Sequence, residues 1–79
     1  MVNLDWQDEF LVKNKYHVGD IFITPKKDDI FMVIDFKRRS HNVDYILKKS
    51  KDRTIITLTQ QFLDAMIHTR ETLLQKAKI

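Results

Sequence analysis

A chain of 79 residues without a single cysteine has to hold itself together by packing alone. Neither a disulfide nor a thiolate-bound zinc, the usual staples of small domains, is open to it. The length suits one domain over residues 1–79, and a domain of this size buries only about 60% of the surface its unfolded chain exposes. The apolar 43% of the residues, eight aromatics among them, must therefore supply the whole core. One glycine and one proline argue against a low-complexity or disordered chain.

The pattern of apolar residues predicts an α+β fold. Residues 3–13 read as a weakly patterned helix, with Asn3 as a cap and Asp5, Asp8 and Glu9 at the positive end of its dipole. An irregular arm anchored by Trp6 is the alternative. His17-Val18-Gly19-Asp20 is a turn in which the lone glycine takes a backbone conformation closed to other residues. Ile21–Thr24 is a short strand, stopped by Pro25, and Lys26–Asp29 is a polar loop. Ile30–Lys37 is the clearest strand: Ile30, Met32, Ile34 and Phe36 alternate onto one face, while Phe31 and Val33 begin the other and Asp35 and Lys37 finish it. Val43, Tyr45 and Leu47 give a third, half-buried strand, and the β-branched stretch Thr54–Leu58 a fourth.

A helix capped by Thr57 or Thr59 then runs to about Lys76, with Phe62, Leu63, Met66, Ile67, Leu73, Leu74 and Ala77 on one stripe that Arg70 interrupts. Sequential strands with short connections make an antiparallel meander, and the C-terminal helix is its natural cover. The expectation is a small four-stranded curved sheet, an SH3-like half-barrel in its specific form, between a weak N-terminal helix and an amphipathic C-terminal one.

The residues offer little to an enzyme. There is no cysteine nucleophile, Ser40 and Ser50 lie in polar turns, and one glycine cannot build a phosphate-binding loop. His17, His41 and His68 are too widely and irregularly spaced for a metal motif, and Asp20, Asp28 and Asp29 lack calcium-loop spacing beside Lys26 and Lys27. The expectation is a non-enzymatic protein without cofactor or metal. No apolar stretch approaches the ~20 residues of a membrane span. Met1–Glu9 is acidic where a secretion signal would be basic and then apolar. A cytoplasmic location without a membrane partner is expected.

Charge is the most suggestive feature. Residues 26–53 carry nine basic and five acidic side chains, whereas residues 1–25 are net acidic. The basic residues cluster as Lys26 and Lys27; Lys37, Arg38 and Arg39; and Lys48, Lys49, Lys51 and Arg53. These nine are the candidate binding residues. Loops of a meander alternate between its two ends, so the first and third clusters should share one end and the second lie at the other. Such clusters can neutralise phosphates. Phe31, Phe36 and Tyr45 could stack on bases, although each sits on an apolar face where a core aromatic is expected. Leu73, Leu74 and Ala77, with Ile79, either extend beyond the sheet as an apolar helix strip fit for docking or a homodimer, or are covered by the N-terminal segment with Trp6 and Phe10.

Val18-Gly19-Asp20-Ile21-Phe22, the strand Ile30–Phe36, Tyr45-Ile46-Leu47 and Thr57-Leu58-Thr59 opening a helix resemble small accessory proteins of tailed phages and mobile elements. The resemblance covers about residues 16–68. It implies an SH3-like barrel and a role in blocking or redirecting host machinery, host defence nucleases included. It assigns no functional residue. The leading expectation is a regulatory or inhibitory protein of phage type, docking on a host protein or nucleoprotein through its basic loops. Direct nucleic-acid binding by the same nine residues is the alternative.

Overall fold

The computed structural model describes residues 11–77. The helix expected over 3–13 falls almost wholly outside them, and residues 11–13 are not helical. Strands β1 (Ile21–Thr24), β2 (Asp29–Arg38), β3 (Val43–Lys49) and β4 (Ile55–Thr59) form the expected antiparallel meander. Helix α1 (Gln60–His68) follows, and a fifth strand, β5 (Leu73–Gln75), returns to pair with β1. The sheet order is β4-β3-β2-β1-β5. The α+β class and antiparallel sheet stand, with five strands in place of four and one short helix among the described residues.

The local chemistry explains the connections. Pro25 occupies the second position of a turn closed by the Lys27 N–H on the Thr24 carbonyl, and Asp28 relieves the chain with a left-handed φ of 55°. Gly19 has φ 97°, as its solitary position predicts, and a Cβ there would lie 3.1 Å from the Ala77 Cβ. Thr59 caps α1, its hydroxyl accepting the Phe62 N–H at 3.2 Å.

The helix does not reach Lys76. It ends at His68, where the Thr69 N–H bonds the Ala65 carbonyl and the Arg70 N–H that of Ile67. Arg70 turns left-handed (φ 63°), and both Glu71 and Thr72 donate to the Met66 carbonyl. This closure satisfies the last helical carbonyls. It frees Leu73–Gln75 to pair with Ile21, Phe22 and Ile23, giving β1 a second hydrogen-bonded neighbour. The expected apolar helix strip therefore does not form: Leu73 faces outward on a strand, Leu74 packs against the core, and Ala77 backs onto Gly19.

Strand β2 departs from the sequence pattern in phase. Val33 pairs with Leu47 and Asp35 with the adjacent Ile46, so Ile34 is an extra residue, a β-bulge. A bulge exchanges the faces of everything beyond it. Before it, Phe31 and Val33 point inward; after it, Phe36 does. Ile30 and Met32, expected to share the Phe36 face, lie on the opposite one and are each 42% exposed.

The core gathers Tyr16, Phe22, Val33, Val43, Tyr45, Leu47 and Leu63 on the inner face. Tyr16 stands edge-on to Phe22 and to Tyr45, with ring centroids 5.0 and 5.4 Å apart. Three polar anchors are built into this apolar centre. The Tyr45 hydroxyl donates to Gln60 Oε1 and accepts the Lys15 N–H at 3.1 Å, tying the arm before β1 to the start of α1. The Tyr16 hydroxyl donates to Asp64. Asp20, 1% exposed, accepts the His17 and Ala77 N–H groups at 2.9 and 2.8 Å and the Lys76 ammonium at 3.3 Å. Burial alone would raise the Asp20 carboxyl; those three donors outweigh it and hold it below the usual carboxylate range.

Candidate binding surface

The meander sorts the nine basic candidates as its alternation requires. The β1–β2 turn carries Lys26 and Lys27, and the end of β3 with its turn into β4 carries Lys48, Lys49, Lys51 and Arg53. These two segments share one end of the sheet, where the Ser50 N–H bonds the Ile30 carbonyl at 2.9 Å. Lys37, Arg38 and Arg39 lie at the opposite end, at the β2–β3 connection. The nine do not form one surface.

Their surroundings separate them further. The Arg38 guanidinium turns inward and donates to the carbonyls of Val12 (2.9 Å) and Leu11 (3.4 Å), fastening the incoming arm. Arg39 pairs with Asp44 at 2.8 Å. Lys49 lies 3.4 Å from Asp29 and 4.0 Å from Asp52. Asp52 is held below its usual range by its hydrogen bonds with the side chain and the N–H of Thr54, so it stays an anion beside Lys49. Lys26, Lys27, Lys48, Lys51 and Arg53 have no ion-pair partner among the described residues. These five form the free positive end of the sheet.

Beside this end lies a feature that the sequence pattern concealed. Part of the outer face of the sheet is apolar. One row crosses it from Ile21 through Met32 and Lys48 to Ile55, and a second from Leu73 through Ile23 to Ile30. Ile30, Met32, Ile55 and Leu73 are 42–53% exposed. Ile21, Ile30 and Met32 floor a groove of about 320 Å³, with Lys48 and Arg53 on its basic side. The available signal was that β1 and β2 are apolar on both sides while one short helix can cover only one face.

The aromatic candidates point the other way. Tyr45 is fully buried, and Phe31 and Phe36 are half-buried against the core. None offers a ring on the outer face, so the stacking platform considered from the sequence does not form there. Among the described residues, no three His, Cys, Asp or Glu side chains gather as a metal site, and no helix is long and apolar enough to cross a membrane. No family model, curated protein or solved structure matches the chain.

Proposed function

We propose that the protein is a non-enzymatic regulatory binding module that docks on the acidic surface of a partner protein through the outer face of its sheet. The observation that carries this reading is the aliphatic floor of Ile21, Ile30 and Met32 bordered by the free cations Lys48 and Arg53. An apolar centre with a charged rim is the anatomy of a protein interface. Exposed aliphatic side chains gathered in one groove beside cations are the kind of surface that a docked partner would cover. Charge selects an acidic rim on the partner and speeds encounter, while the aliphatic floor supplies affinity.

The strand order β4-β3-β2-β1-β5, with the helix between β4 and β5, is the arrangement used by SH3-like barrels, and the bulge at Ile34 supports the curvature of a half-barrel. Such folds host many functions, so the site and not the fold bears the argument. Together with the resemblance to phage accessory proteins, the surface supports an inhibitor-type role on a host protein or nucleoprotein in the cytoplasm. Direct nucleic-acid binding is the second reading, favoured by the five cations at one end of the sheet; the lack of an outward aromatic ring weighs against base stacking.

The test compares tagged wild type with Ile30→Glu/Met32→Glu and with Lys48→Glu/Arg53→Glu, each confirmed as folded. A bacterial protein retained by the wild type, lost by both variants and bound directly by calorimetry after purification is the expected result. Capture unaffected by either pair refutes the reading. Salt-sensitive binding of labelled oligonucleotides that survives Ile30→Glu/Met32→Glu would replace it with the nucleic-acid reading.

A further inference from the structure

The inner face of the sheet holds a second cavity. Because α1 stops at His68 and packs on β3 and β4, it leaves part of the concave face uncovered. The space that remains is a cavity of about 250 Å³ between sheet and helix. Phe22, Phe31 and Leu47 line it from the sheet, and Phe62, Leu63 and Met66 from the helix. Phe62, 49% exposed, stands where an unneeded apolar ring would be costly to leave in water.

The polar atoms at this cavity are few and all at the β1–β2 end. Thr72 lines it while only 4% exposed, and its hydroxyl makes no hydrogen bond among the described residues. Lys27 and Asp29 stand at the same end. The Asp29 carboxylate is balanced by the Lys49 ammonium at 3.4 Å, and Lys27 has no ion-pair partner among the described residues. The Asp29 charge is thus engaged from outside the lining, and Lys27 is the lining cation left for an occupant. An apolar chamber with one free hydroxyl and one free cation selects a ligand with an aliphatic body and an anionic head.

We propose that this cavity is a binding site for a medium-chain aliphatic carboxylate, its chain against Phe22, Leu47 and Met66 and its head between Lys27 and Thr72. The size agrees: a 150 Å³ cavity accepts benzene, so 250 Å³ holds roughly ten heavy atoms, the number in octanoate. The site is independent of the outer face, so a ligand here would leave that face free.

Octanoate, octylammonium and octanol are titrated into the full chain, with methyl and aromatic NMR shifts and calorimetry as readouts. Saturable octanoate shifts at Leu63, Met66 and Phe62 are expected, with octylammonium at least about tenfold weaker. Lys27→Glu, at an exposed turn position, should weaken octanoate about tenfold and reverse the preference toward octylammonium; the tenfold step reflects one partly exposed ion pair. No saturable shift at these residues overturns the proposal. So do shifts confined to Ile21, Ile30 and Met32, equal binding of octanoate and octylammonium, or contacts from Trp6 or Phe10 to Met66 that octanoate does not displace.

Discussion

Replacing Asp20 with asparagine should unfasten the end of the chain from the turn before β1. The Asp20 Oδ2 atom accepts the His17 N–H at 2.9 Å and the Lys76 ammonium at 3.3 Å, and Oδ1 accepts the Ala77 N–H at 2.8 Å. An amide keeps one acceptor oxygen and puts an NH₂ group where the other was. In either orientation at least one buried N–H then faces a donor. A hydrogen bond to a charged group contributes ~1.5–3 kcal/mol, and a stranded buried donor costs ~1–3 kcal/mol. The Lys76 contact adds little, because that ammonium is 55% exposed. The expected loss is about 2–4 kcal/mol, a large part of the ~4–12 kcal/mol typical of a chain this size. At ~4–8 °C per kcal/mol, Tm should fall by at least ~8 °C.

The effect also has a required pH dependence. A carboxyl held below its unfolded value stabilises the fold above that value, near 3.9, and the contribution fades as pH falls through the folded value. Urea unfolding followed by circular dichroism, for wild type and Asp20→Asn from pH 7 to pH 3, measures it. The gap should be full at pH 7 and narrow below pH 4, where the wild-type carboxyl itself becomes protonated. A gap under ~0.5 kcal/mol at pH 7, or one that persists unchanged at low pH, would refute the assigned role of the carboxylate.

Other consequences are testable with the same measurement. Gly19→Ala should destabilise by ~1–3 kcal/mol, since alanine would take φ 97° and press its methyl 3.1 Å from the Ala77 Cβ; unchanged urea midpoints would contradict this. Tyr45→Phe should cost ~1–3 kcal/mol by leaving the buried Tyr16 N–H without its acceptor and Gln60 Oε1 with the Lys15 N–H as its remaining donor. The hydroxyls of Tyr16 and Tyr45 are both raised, first by burial. Stability should thus be full below pH ~10 and fall as pH rises past the unfolded tyrosine value, with a shallower fall in Tyr45→Phe. Deleting Ile34 should leave a folded protein, because Phe31, Val33, Phe36 and Arg38 then alternate regularly, whereas deleting Met32 should unfold it; amide NMR spectra of the two deletions distinguish these outcomes.

What the sequence displayed and what it hid divide along local and non-local chemistry. Strands β1 to β4, the Gly19 turn and the Thr59 cap depend on neighbours within a few residues, and their patterns were readable there. The split of the basic clusters between two ends was equally readable, because it follows from meander connectivity whatever each side chain does. Strand β5 was not: Leu73 and Leu74 fit a helical stripe as well as a strand, and only the open edge of β1, more than 40 residues earlier, decides between them. The bulge is the sharper case. Ile30 to Phe36 alternates without interruption in sequence, and Ile34 becomes an extra residue only because Val33 and Asp35 must meet the adjacent Leu47 and Ile46. A charge can be counted without knowing strand phase, but an apolar residue becomes surface or core by phase alone. The nine cations were therefore visible from the start, while the apolar floor of Ile21, Ile30 and Met32 beside Lys48 and Arg53 emerged only with the register.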